Sequence, residues 1–162
     1  MPEALRKITP ADILPMADYD RQRKALKAEL IPVKKLRRIE VGPFATFYFE
    51  NYATMWMQVQ EMLRIEKGGA EQIPGELEAY NPLIPQGEEL IATMMLEIED
   101  EKRRNAVLLT LGGIEETVFL EIGGEAIRDR QRIIHNGAAV VTLVLDRDGR
   151  LAADRHQMVP VQ

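Results

Sequence analysis

Apolar residues recur along this chain with two different periods, and the switch between them divides it. Tyr19, Leu26 and Leu30 share one stripe at helical spacing, which predicts a helix from Asp18, as N-cap, to about residue 31, with Pro32 as its stop. A short helix is expected just before it: Thr9 caps, Pro10 takes the first position, Asp12 places an acid in the first turn, and Pro15 ends it. From Leu36 to Val41 the period drops to two, which predicts a strand. Gly42-Pro43 then turns the chain, and residues 44–50 return as the second strand of a hairpin. Phe47 and Phe49 fall on one face, Thr46 and Tyr48 on the other, and both faces are apolar enough to predict a place inside a sheet.

Helical spacing resumes over residues 54–67, with Asn51 as N-cap and Gly68-Gly69 as terminator. Met55, Trp56, Val59, Met62 and Leu63 make one apolar arc, the expected core face. Met57 and Ile65 lie outside that arc, so a second side of the helix should be covered too. A weaker helical piece is expected over 70–79, interrupted at Pro74-Gly75. Asn81-Pro82 and Ile84-Pro85 then predict an extended, irregular crossing. After Gly87 the pattern turns to strands, at 90–99, 106–111, 115–122, 126–134 and 138–146. A charged turn is expected at 100–105, hairpin loops at Gly112-Gly113 and Asp148-Gly149, a break at Gly123-Gly124, and a turn at Asn136-Gly137. The fold class is therefore α+β, with N-terminal helices and a central helix packed on a mainly antiparallel sheet or meander. A single domain is expected: a helical arm (1–35), a hairpin, central helix and crossing segment (36–87), and a β meander (88–162).

Composition narrows the chemistry. No run approaches the ~18 apolar residues of a membrane span, and the N-terminus lacks an apolar signal core, so a cytoplasmic protein is expected. The chain has neither cysteine nor serine, which removes thiol and Ser-His-Asp nucleophiles, disulfides and cysteine-ligated metals. His135 and His156 have no partner at ligand spacing, and no glycine pair forms a nucleotide-binding motif, so no metal or cofactor is expected. A carboxylate-only metal site is the alternative left open. The net charge of −5 hides an asymmetry: residues 21–38 carry Arg21, Arg23, Lys24, Lys27, Lys34, Lys35, Arg37 and Arg38 against Glu29 alone, so this stretch is +7 and the rest −12. Such a stripe fits an acidic partner or a phosphate backbone. The plainer reading is a solvated face that complements the acidic body of the same protein. No aromatic residue is interleaved for stacking on bases, which argues against nucleic acid.

One polar set stands out. Glu61 projects between Met57 and Ile65, with Gln58 beside it and Arg64 one turn on, and Glu66 projects near the main apolar arc. A carboxylate among apolar neighbours must be paired or neutral, and Arg64 at i+3 is the nearest partner. Glu50, Gln58, Glu61, Arg64, Glu66, Tyr80 and Asn81 are thus the candidate ligand-binding set, with no residue assigned a catalytic role. The competing reading makes Glu61 a buried structural ion pair.

The segments VGPFATFYFEN (41–51), QEMLRIEK (60–67), LEAYNPLIPQGEEL (77–90) and LGGIEETVFLEIGG (111–124) closely resemble an uncharacterised bacterial family classed only by its unknown function. The likeness covers about residues 10–124 and loosens beyond Gly124, where the chain is expected to stop short of the tail such proteins carry. Genes of this family tend to lie beside those for rubrerythrin-like and iron–sulfur oxidoreductase-like proteins. The resemblance therefore implies an accessory or partner-binding protein in a redox or oxidative-stress context. With no cysteine in the chain, any iron–sulfur link would run through the partner.

Overall fold

Asn51 closes a strand and opens a helix within two residues. Its backbone is extended, its Oδ1 accepts from the Thr54 N–H at 3.0 Å, and its own N–H donates to Thr54 Oγ1 at 3.0 Å. This reciprocal cap satisfies donors that a helix start leaves open. The computed structural model describes residues 6–87, 89–112, 114, 118–122, 125–128, 131–135 and 138–144. Ahead of Asn51 lie α1 (Met16–Lys35), β1 (Arg38–Val41) and β2 (Ala45–Phe49), and behind it α2 (Tyr52–Glu66) and α3 (Ile73–Tyr80). Then come β3 (Glu89–Leu96), α4 (Glu101–Leu108), β4 (Phe119–Ile122), β5 (Glu125–Arg128), β6 (Gln131–His135) and β7 (Ala138–Val144).

The sheet order is β1-β2-β3-β7-β6, antiparallel throughout, and β4 pairs with β5 as a separate hairpin. The α+β expectation holds, and β2 sits inside the sheet as its two apolar faces require. Gly42, at φ 63°, supplies the left-handed residue that turns β1 into β2. Arg37 stands over the corner after β2: its Nε and Nη2 donate to the carbonyls of Phe49 and Glu50, both at 2.9 Å.

Helix α2 is covered on two sides. Met55, Val59 and Leu63 pack with Leu77, Tyr80, Leu83, Ile84, Ile91 and Ile8, joining α3, the N-terminal segment and β3 in one core. Met57 faces the other way, against Tyr19 and Leu30 of α1. The second covered side is thus real for Met57, whereas Ile65 is exposed. Phe47 and Met94 on the opposite face of the sheet are covered by Ile114, Val118 and Leu120.

Several boundaries differ from expectation. Pro32 does not stop α1, and Pro15 rather than Asp18 is its N-cap. Pro32 lacks the N–H that would reach back one turn, but its carbonyl still accepts from Leu36 N, and Val33 packs into the α1–α2 core. Lys34 and Lys35 favour the negative end of the helix dipole. Pro74 lies at the start of α3, where its missing donor costs nothing, so the helix is not interrupted there. Asn81–Leu83 coils into a 3₁₀ turn instead of running extended, and Ile84 after it is extended. The turn at 100–105 and the strand at 106–111 are together replaced by α4. Asp100 accepts from Arg103 N–H at 2.7 Å as N-cap, and the Glu-Lys-Arg-Arg run that follows favours a helix. The region after residue 88 is therefore not a simple meander. Glycines 113, 123 and 124, the 136–137 turn, the 148–149 hairpin and His156 lie outside the described residues.

Loss of the Asn51 cap is expected to cost about 1 kcal/mol. Asn51→Ala should therefore lower the melting temperature by roughly 2–4 °C, measured by thermal denaturation. An unchanged melting temperature would mean the corner is held by Arg37 and Glu50 alone.

Candidate functional site

Tyr19, Arg23 and Lys27 recur at i, i+4 and i+8 along α1, so all three side chains reach the same strip of α2. What they meet there is Glu61. Arg23 grips its carboxylate with two donors, Nε to Oε1 at 2.7 Å and Nη2 to Oε2 at 2.8 Å, Lys27 Nζ reaches Oε2 at 2.8 Å, and the Tyr19 hydroxyl donates to Oε1 at 2.5 Å. The Glu61 side chain keeps 16% of its exposure. Hydrogen bonding to Arg23 above all, then to Lys27 and Tyr19, holds its carboxyl well below the usual carboxylate range against the opposing effect of burial. Burial and the same carboxylate push the Tyr19 phenol upward.

Arg64 is not the partner of Glu61. Its Nε reaches Asp20 Oδ1 at 2.7 Å, a pair half open to solvent. The i+3 neighbour loses because α1 offers Glu61 two cations and a hydroxyl already fixed by packing. The rest of the candidate set is dispersed. Gln58 is hydrogen-bonded to the buried Tyr80, whose phenol burial pushes upward. Asn81 clamps the backbone of the fully buried Ile8, accepting its N–H at 2.7 Å and donating to its carbonyl at 2.9 Å. Glu50, buried at the strand–helix corner, accepts from the hydroxyls of Thr54 at 2.6 Å and Thr93 at 2.7 Å. Glu66 accepts from Gln72 Nε2 at 2.7 Å near the end of α2. Among the described residues, no three of the acidic and histidine side chains converge as a metal site would need.

The basic stripe also separates into two groups. Arg23 and Lys27 are spent on Glu61 and Arg37 on two backbone carbonyls, while Arg21 pairs with Asp18 and Arg38 with Glu40. Lys24, Lys34 and Lys35 are exposed and make no ion pair among the described residues. Next to Arg64 a cleft of about 410 Å³ opens between the residues 13–16 turn and the carboxyl end of α2, lined chiefly by Leu14, Met16, Leu63 and Ile73 with Lys67.

Two features are missed when only the apolar positions of each helix are followed. The apolar stripe with Leu26 and Leu30 assigns Tyr19 to the core, whereas its i, i+4, i+8 spacing with Arg23 and Lys27 makes a second stripe that suits a facing carboxylate. Gln60 was not singled out at all. It is 0% exposed, and neither Oε1 nor Nε2 has a hydrogen-bond partner among the described residues. Its position on α2 between Trp56 and Arg64 is the signal that could have placed it between helices.

A carboxylate held low contributes stability that is present in full above the ordinary carboxylate range and is lost as pH falls through and below it. A phenol pushed upward contributes stability present below about pH 10 and lost above it. Glu61→Gln should therefore cost about 2 kcal/mol at pH 7 and flatten the loss of stability below about pH 4, read by denaturant titration across pH. An acid limb as steep as that of the wild type would place the titrating group elsewhere. An unpaired buried amide costs about 1–3 kcal/mol, so Gln60→Met should raise the melting temperature; a fall would show that the amide has a partner the fold needs.

None of the curated proteins matches the chain. A crystal structure of a novel protein of unknown function from Burkholderia pseudomallei is similar to it, at 31% identity over 88% of this chain and 79% of that one, with a TM-score of 0.78. The family model described as "Protein of unknown function (DUF3501)" matches residues 7–138, past Gly124, and so takes in Tyr19, Glu61, Tyr80 and Asn81. The chain belongs to the DUF3501 family.

Proposed function

We propose that this protein is a cytoplasmic, non-catalytic accessory that docks on an acidic partner protein through the solvent face of α1. One observation carries the reading: among the described residues, Glu50, Gln58, Glu61, Arg64, Glu66, Tyr80 and Asn81 are each engaged within the fold, while α1 presents charge with no use inside it. Lys24, Ile31 and Lys35 lie at i, i+7 and i+11, one face of the helix, with Lys34 beside them. Ile31 is 65% exposed. A basic face with an apolar centre suits an acidic surface that offers an apolar contact. Three lysines with no interleaved aromatic residue make a poor nucleic-acid footprint.

The partner class comes from the family's gene neighbourhood: a rubrerythrin-like or iron–sulfur redox protein. With no cysteine in the chain, electron transfer through a thiolate-held cluster would belong to that partner. Among the described residues no helix is long and apolar enough to cross a membrane. A second reading, a small ligand, is favoured by the cleft beside Arg64 and Lys67, whose apolar lining and cationic rim suit an apolar carboxylate.

The test is titration of the purified rubrerythrin-like neighbour against the wild type and a Lys24→Glu/Lys34→Glu/Lys35→Glu variant at low and high salt. Binding that weakens with salt and falls at least about tenfold in the variant is expected, since each tenfold is about 1.4 kcal/mol. No binding at low salt rejects the partner class. Binding indifferent to the variant rejects the α1 face. Melting shifts with fatty acids that are equal in wild type and Arg64→Gln would remove the cleft reading.

A further inference from the structure

β1 is the terminal strand of its sheet, and all four of its residues are exposed. The Phe49 N–H donates to the Arg37 carbonyl at 2.7 Å, and the register places Ile39 opposite Phe47 and Val41 opposite Ala45. In an antiparallel ladder hydrogen-bonded pairs alternate with non-bonded ones. The Arg37 carbonyl and the backbone groups of residues 39 and 41 therefore turn toward β2. Arg38 and Glu40 turn theirs outward, to an edge with no strand beside it among the described residues.

A second strand can add to that edge only with matching parity. For two identical β1 strands related by a two-fold axis, the axis must then pass through a residue. Centred on Arg38 it sets arginine against arginine, and centred on Glu40 it sets glutamate against glutamate; both are disfavoured. Centred on Ile39, each Arg38 faces the Glu40 of the other copy as a hydrogen-bonded pair, and Ile39 meets Ile39. Charge and backbone parity agree in this register. The apolar row across the sheet agrees as well. Ile39 lies opposite Phe47, and Phe47 opposite Met94, so the row Met94–Phe47–Ile39 runs out to the edge and ends at a side chain 49% exposed. A second copy in this register continues the row without a break.

We infer that the protein self-associates as a two-fold dimer by antiparallel pairing of β1 with β1, in the register that sets Arg38 against Glu40 and Ile39 against Ile39. The contact is isologous, as a closed dimer requires. It joins two five-stranded sheets into one of ten strands. Charged residues on an edge strand usually block such addition. Here the two charges alternate in sign at a spacing of two, so in one register they select the partner. The surface is distinct from the α1 face, so this inference and the partner reading stand or fall separately.

The experiment is sedimentation of the full chain over a concentration series, with Arg38→Glu and Glu40→Arg variants alone and mixed. Both side chains are exposed and their mutual pair is a surface one, so the fold should tolerate either change. The wild type is expected to dimerise, and each single variant to stay monomeric because it places like charges opposite each other. The one-to-one mixture should dimerise again, since both pairs are then complementary. Hydrogen exchange of the Arg38 and Glu40 amides should slow as wild-type concentration rises. A wild type monomeric up to about 1 mM overturns the inference. So does a dimer that both single variants preserve, or a mixture that stays monomeric.

Discussion

Taking the Glu61 carboxylate out of water would cost several kcal/mol if nothing compensated it, and α1 supplies the compensation. Arg23, Lys27 and Tyr19 close on it from one stripe of that helix. Their spacing leaves α1 little freedom to rotate or slide on α2, because a shift of one residue would carry all three donors off the strip. The apolar contacts around Met57, Leu30 and Trp56 could accept several helix orientations. The ion cluster selects one of them, so it acts more as a register pin than as a source of net stability.

The second constraint is the corner after β2. Arg37 holds two carbonyls there, Asn51 and Thr54 cap each other, and Glu50 joins Thr54 to Thr93 on β3. A sheet residue, a corner residue and a helix residue thus share one carboxylate. This couples the helical layer to the sheet, which apolar packing through Ile91 alone would do less specifically.

What could be read from the residues was what depends on neighbours in sequence. The Asn51 cap, the apolar arc of α2 and the interior place of β2 follow from short-range periods and turn chemistry. Pro32 is a poor guide here because Val33, one residue on, packs against the cluster that Tyr19, Leu30 and Met57 form between α1 and α2, and no local rule contains that cluster. The charged run 100–105 predicts a turn, but Asp100 caps α4, a role that the charge pattern alone does not distinguish from a turn residue. Glu61 was correctly marked as a carboxylate in need of a partner, but its partners lie 34 to 42 residues away, so only Arg64 could be named. The candidate residues then proved to occupy separate networks, since a one-dimensional spacing says which face a side chain occupies and not what faces it.

The Asn81 clamp on Ile8 has a consequence for how the chain is made. The two residues are 73 apart in sequence, and the core that receives Ile8 also needs Leu83, Ile84 and Ile91. On a ribosome, the N-terminal segment leaves the exit tunnel long before the side chain that will hold it has been synthesised. Helix α1 can be seated by α2 first, but Ile8, the buried residue of the 6–13 segment, must wait for the rest of its core until the middle of the chain emerges. The segment at residues 6–13 is therefore seated later than the helices that follow it.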